Sequence, residues 1–272
     1  MKLEEYIQGK HLSLSSTEYL SNDPFPHIVI DNFINETLLD NDESEFPDLE
    51  SLQDVVSFSN ETSIKFASKG FKDLSPSAGR LISFLNSDVF LSYLQGLTGI
   101  NEPLFSDPYL EGGGYHQIKT GGFLKTHIDF AKHKESSLDR RINLLIYLNK
   151  GWNDDWGGSL CLFDKENFNQ PLKKISPVFN RCVIFSTSSF SYHGHPDPVI
   201  CPLDNTRRSI ALYYFSNGRP FNEVSAQSIN EPHQTFWVDE SGRKIGQIST
   251  ARRVASKLLP SIVKDLVRKV LR

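Results

Sequence analysis

The sequence predicts a mainly β domain with flanking helices, of the sandwich or jelly-roll kind, and three observations carry that prediction. Short apolar runs separated by glycine, proline and asparagine recur from about Phe105 to Phe215, the pattern of an antiparallel all-β architecture. No helical segments alternate with those runs, so a parallel sheet has no crossovers to build it. Helical periodicity falls chiefly before Phe105, where it suits a buttress on one side of a sheet.

Taken in order, Pro26-His-Ile-Val-Ile30 reads as a strand ending at Asp31-Asn-Phe33, and a short helix follows from about Glu36. Residues 36–54 hold Glu36, Asp40, Asp42, Glu43, Glu45, Asp48, Glu50 and Asp54 without a basic residue, the composition of a solvated helix face or loop. Ser75-Pro76 is a helix start, with serine capping and proline in the first turn, and Leu81, Ile82, Phe84 and Leu85 form its apolar stripe. A second helix begins at Ser87-Asp88, with Val89, Phe90, Leu91, Tyr93, Leu94 and Leu97 expected to face inward before Gly96 and Gly99 stop it.

Strands are predicted near Tyr115–Lys119, Phe123–Asp129, Arg141–Leu148, Ser159–Phe163, Arg181–Ser186, Phe190–His193 and Arg207–Phe215. Gly112-Gly-Gly114 lacks the Lys-Ser/Thr ending of a phosphate loop and reads as a flexible strand entrance. Thr235–Val238 and Lys244–Ile248 flank a glycine turn and read as a hairpin. Beyond it, Leu259, Ile262, Val263, Leu266, Val267 and Val270 form a helical stripe beside Lys264, Arg268, Lys269 and Arg272. Such a helix suits either weak contact with an anionic membrane surface or packing on this chain's own core.

One core with extensions accounts for 272 residues. The division expected is 1–104 for an N-terminal strand and buttressing helices, 105–222 for the β core, and 223–272 for the hairpin and basic helix. A net charge of −4 gives no reason to expect nucleic acid. Cys161, Cys182 and Cys201 form no disulfide framework, and Met1–Ile7 lacks a signal-peptide core, so a reducing, cytoplasmic setting is expected.

The chemistry begins at Gly121-Gly-Phe-Leu-Lys-Thr-His127-Ile-Asp129. On a strand, positions i and i+2 share a face, so His127 and Asp129 can grip one metal ion. A 2-His-1-carboxylate triad needs one more histidine from a distant strand and leaves open positions for other ligands. It is supplied at Tyr192-His193-Gly-His195, where either histidine is in reach, since both can share a face. An arginine follows at the head of the next strand, Arg207 or its neighbour Arg208, which must point oppositely. A metal that is chelated by 2-oxoglutarate requires such a guanidinium fork for the distal carboxylate.

From Gly112 to Phe215 these stations resemble the Fe(II)/2-oxoglutarate-dependent dioxygenases of the prolyl-4-hydroxylase-like family. The resemblance is carried by His127-x-Asp129, Arg141-Ile-Asn143-Leu-Leu-Ile-Tyr147, Trp156-Gly-Gly-Ser-Leu160, Asn180–Phe185, His193 and Thr206-Arg207-Arg-Ser-Ile210. It implies a double-stranded β-helix, the cupin-like jelly roll, with His127, Asp129 and His193 holding iron. It further implies that Arg207 and Tyr147 hold 2-oxoglutarate, and strand alternation lets Asn143 line the same pocket as Tyr147. Dioxygen is the implied co-reactant, with ascorbate a candidate accessory. The implied reaction hydroxylates a C–H bond of an unidentified substrate, a peptidyl proline, a small molecule, or a sugar or lipid intermediate, releasing succinate and CO2. Gln117 and Ile118 stand where many relatives have a tyrosine, leaving Tyr115 or Gln117 as its replacement. His116 and His133 flank the site, and the remaining histidines suit surface or hydrogen-bonded roles. The rivals are a non-catalytic metal-binding jelly-roll module and a cupin-like metal-dependent isomerase, which would need no role for Arg207.

Overall fold

The computed structural model describes residues 2–245. In chain order it holds helices α1 (Leu3–Tyr6) and α2 (Ser16–Ser21), strand β1 (His27–Asp31), helix α3 (Glu36–Ser44), and the hairpin of β2 (Val56–Ser59) and β3 (Ser63–Ala67). Helices α4 (Pro76–Leu85) and α5 (Asp88–Thr98) follow. The strand-rich region comprises β4 (Leu104–Ser106), β5 (Gly114–Ile118), β6 (Phe123–Ile128), β7 (Asp139–Tyr147), β8 (Leu160–Phe163), β9 (Lys173–Ile175), β10 (Arg181–Ser186), β11 (Tyr192–His195) and β12 (Arg207–Ser216). Helix α6 (Ala226–Asn230) and the hairpin of β13 (Phe236–Val238) and β14 (Lys244–Ile245) close the described chain.

The strands pair in the order β1-β10-β7-β12-β5-β3-β6-β11-β8-β9, every pair antiparallel. This is the jelly-roll double-stranded β-helix. One face is β10-β7-β12-β5 and the other β6-β11-β8-β9, with β3 bridging β5 to β6. Between the faces, Tyr147, Val183 and Phe185 pack against Leu160, Leu162 and Ile175. The outer side of the first face carries Leu144, Ile146, Ile210, Leu212 and Tyr214, covered by Leu81, Ile82, Phe84, Phe90 and Leu94 of α4 and α5. Each of those helix residues is at most 2% exposed, worth roughly 1.5–3 kcal/mol of burial apiece.

Ser75 caps α4 by accepting the Ala78 N–H at 3.1 Å, and Ser87 caps α5 through the Phe90 N–H at 3.4 Å. Helix α5 runs through Gly96 and stops only at Gly99, whose φ of +68° is the left-handed cap that glycine adopts without strain. Gly96 therefore does not end the helix, because a single interior glycine costs only about 1 kcal/mol against the packing of the buried face. Four strands, β2, β3, β4 and β9, were not expected from the sequence, and β11 spans 192–195 rather than 190–193, leaving Phe190 in an exposed turn. The Gly112–Gly114 entrance is tight rather than flexible: a Cβ on Gly114 would lie 2.5 Å from Ser68 Oγ. The predicted acidic surface is not wholly wet, since Asp42 is fully buried. Residues 246–248 of the expected hairpin and the basic helix lie outside the described residues. Among the described residues no helix is long and apolar enough to cross a membrane.

Candidate active site

His127 lies near the end of β6 and sits directly opposite His193 of β11, so antiparallel pairing alone brings the two imidazoles together. Their ring centroids are 4.4 Å apart. Asp129, one residue past β6, joins them, and one ligand atom from each of the three lies within 4.8 Å of the others. Asp129 Oδ1 is 3.7 Å from His127 Nε2, and its Oδ2 is 3.4 Å from His193 Nε2. Each histidine engages a carbonyl two residues back through Nδ1, His127 with Lys125 O and His193 with Ser191 O, both at 2.9 Å. A proton on each Nδ1 satisfies those carbonyls and leaves both Nε2 lone pairs aimed at the centre, the tautomer a metal requires. The donor set fits a divalent ion of the iron type. His195 is not part of this cluster.

Asp129 is oriented from behind. Asn143 Nδ2 donates to Asp129 Oδ2 at 2.8 Å, and Arg140 Nη2 lies 3.2 Å from the same oxygen. Arg140 in turn donates Nε and Nη2 to Asn143 Oδ1 at 3.0 and 2.8 Å. Its guanidinium is packed over Phe130 at 4.5 Å and Tyr213 at 3.5 Å. Burial raises the Asp129 carboxyl, but Arg140 and the neighbouring imidazoles outweigh it and hold the group well below the usual carboxylate range. Burial, followed by His127, drives His193 down to about 4. Phe185 packs edge-on to His193 and Trp237 lies 4.5 Å over His127, shielding the cluster from water.

Arg207 opens β12 on the same inner face and is 4% exposed. Its Nε donates to Gly158 O at 2.6 Å and its Nη2 to Tyr147 Oη at 3.3 Å. Among the described residues no carboxylate pairs with it, so the fork keeps unclaimed N–H groups. Gly158 has φ of +71°, and a Cβ there would stand 3.0 Å from Arg207 Cδ, so the Trp156-Gly-Gly turn is what lets the arginine lie flat. Arg208 points outward to Glu43 at 3.4 Å, with Asn149 Oδ1 accepting its backbone N–H.

The alternation expected along β7 is broken. Phe215 pairs with Arg140, and Tyr214 with Ile142, so Arg141 is bulged out of register. Arg141 is turned away from the site and donates to Glu102 and Ser216 at 2.8 and 2.9 Å. The slip delivers Arg140 to the site, a residue not singled out from the sequence. Lys65 of β3 and Trp237 of β13 were missed as well. With Phe58, Tyr109, Phe130 and Tyr213 they line a cavity of about 530 Å³ that opens on His127 and Asp129. His133 also lines it, whereas His11, His27 and His233 are engaged with carbonyl oxygens elsewhere.

A jelly roll with a 2-His-1-carboxylate cluster inside and a buried arginine beside it, unpaired with any carboxylate among the described residues, offers the donor set for a divalent metal and a fork for an anionic ligand. The model of the 2OG-Fe(II) oxygenase superfamily matches residues 113–215, the span that holds His127, Asp129, His193 and Arg207. The chain is 29% identical over 203 residues to prolyl 3-hydroxylase OGFOD1 of Mus musculus, across 72% of this chain and 34% of that protein. This chain thus spans about a third of that relative's length. In fold it matches a Trichoplax adhaerens prolyl hydroxylase in complex with a hypoxia inducible factor peptide fragment, with TM-score 0.57, 20% identity, and 76% and 90% of the two chains covered. HygX from Streptomyces hygroscopicus, bound to nickel, 2-oxoglutarate and hygromycin B, aligns with TM-score 0.50 and 16% identity over 79% and 94%.

Proposed function

We propose that this chain hydroxylates a C–H bond in a reaction dependent on Fe(II) and 2-oxoglutarate, with His127, Asp129 and His193 as the iron ligands. Arg207 and Tyr147 hold the distal carboxylate of 2-oxoglutarate, and Asn143 acts on the site by fixing Asp129. The observation that carries this reading is the pairing of the cluster with a buried arginine that has no acidic partner among the described residues. A structural metal would need no such fork, and neither would an isomerase.

Bound iron would activate dioxygen, with 2-oxoglutarate consumed to succinate and CO2. The protein's part is geometric. Lys125 O and Ser191 O hold the two imidazoles in one tautomer, Asn143 and Arg140 fix the carboxylate, and Trp237 with Phe185 keeps water from the ligands. Substrate enters through the 530 Å³ cavity. A peptidyl proline is the first substrate to try, since the OGFOD1 relative is a prolyl 3-hydroxylase; a small molecule is the second. Residues 105–222 carry the proposed ligands, with 1–104 and 223–272 as extensions of one unit. A cytoplasmic setting is part of the proposal, supported by three unpaired buried cysteines.

The test is succinate formation by iron-reconstituted protein with 2-oxoglutarate under oxygen, beside His127→Ala and Arg207→Ala. Slow succinate release by the wild type, abolished in the first variant and requiring far more 2-oxoglutarate in the second, is expected. Equal turnover by the His127 variant refutes the ligand assignment.

A further inference from the structure

We propose that His195 is a third donor to the distal carboxylate of the dicarboxylate cosubstrate, beside Arg207 and Tyr147. This rests on the cosubstrate reading above.

The His195 side chain is 2% exposed, and among the described residues neither ring nitrogen has a hydrogen-bond partner. Native folds seldom bury a polar group unsatisfied unless a ligand or an ion completes it. The ring borders a cavity of about 360 Å³ together with Gly158, Cys161 and Lys174, and Gly158 is the residue whose carbonyl accepts the Arg207 Nε.

Its place along the strand is informative. His195 follows the metal-side His193 by two residues, with a bulge between them. Gly194, the residue between, lies so close to β6 that a Cβ would stand 2.8 Å from the Leu124 and Lys125 carbonyl oxygens. The imidazole thus lies on the strand that carries His193 and borders a cavity with the glycine whose carbonyl holds Arg207. An imidazole offers at least one N–H in either protonation state.

The residues expected to replace the relatives' tyrosine are engaged elsewhere. Tyr115 Oη meets Ser75 Oγ at 2.9 Å with its ring against Phe46, on the outer face. Gln117 accepts the Leu49 N–H at 2.8 Å and donates to Thr206 Oγ1 at 3.3 Å. Neither is free for that contact, whereas His195 is buried and, among the described residues, uncommitted.

Calorimetric binding to the Ni(II)-loaded protein tests this with two ligands, 2-oxoglutarate and oxalate, which offers only a chelating end. His195→Leu should weaken 2-oxoglutarate on the order of tenfold or more, the loss of one hydrogen bond to a charged group, and leave oxalate unchanged. His195→Gln, which keeps an N–H, should recover part of the loss. Wild-type affinity for 2-oxoglutarate in the leucine variant overturns the proposal, as does an equal loss of both ligands. Failure of the wild type to bind 2-oxoglutarate while it binds oxalate overturns the cosubstrate reading itself.

Discussion

Gly157 and Gly158 provide a matched pair of perturbations with different expected outcomes. Both have left-handed φ, +72° and +71°, so alanine at either costs on the order of 1–2 kcal/mol in backbone strain. At Gly157 the added Cβ would meet nothing closer than Pro198 O at 3.4 Å, an ordinary contact. At Gly158 it would stand 3.0 Å from Arg207 Cδ and 3.1 Å from Val199 Cγ2, closer than neighbours tolerate without moving. Val199 is fully buried, so the longer arginine side chain gives way, and its 2.6 Å bond to Gly158 O goes with it. Thermal denaturation should show both variants losing roughly 2–8 °C, as about 1–2 kcal/mol does in a chain of this size. Calorimetry on Ni(II)-loaded protein should show weakened 2-oxoglutarate binding, about tenfold, in Gly158→Ala alone, because a displaced fork costs at least one charge-assisted hydrogen bond. Equal 2-oxoglutarate affinity in the two variants would refute the claim that Gly158 sets the arginine.

Two further outcomes follow from buried groups. Arg140→Met should lower metal affinity about 10- to 100-fold by freeing the carboxylate it orients, read by competitive metal titration, with the fold retained because methionine still fills the space between Phe130 and Tyr213. Asp42, pushed up to about 6 by its burial, has a folded pKa above its unfolded one; its stabilising contribution is therefore full below about pH 4 and lost as pH rises through about 6. Asp42→Asn should accordingly raise the melting temperature at pH 7 and leave it unchanged near pH 3.5, measured by thermal denaturation across that range.

What the sequence disclosed were features set by spacing within one strand. His127 and Asp129 are two residues apart, and Arg207 heads an apolar run, so period-two geometry placed them without knowledge of partners. The two helices were legible from serine caps and apolar stripes. What stayed hidden depended on pairing between distant strands. A bulge at Arg141 exchanged it for Arg140, and no local pattern in Asp139-Arg-Arg-Ile-Asn marks which arginine yields. Ser63-Ile-Lys-Phe-Ala67 did not register as a strand, because Ile64 is exposed and Lys65 turns inward, reversing the usual alternation. Trp237 reached the site only because β13 aligns it with His127.

Those hidden contributions share a location, and that has a bearing on specificity. The proposed iron and cosubstrate contacts lie on β6, β7, β11 and β12 or immediately beyond β6, within the span that matches the superfamily. The cavity in front of them is walled differently: Phe58 and Lys65 come from the β2–β3 hairpin before that span, and Trp237 from β13 after it. Lys65 sharpens the point, since among the described residues it has no carboxylate partner although burial lowers it to about 8. The proposed metal and cosubstrate contacts thus lie within that span, whereas part of the cavity wall comes from outside it. Exchanging the β2–β3 hairpin for a relative's should change which substrate stimulates turnover while leaving 2-oxoglutarate affinity in place.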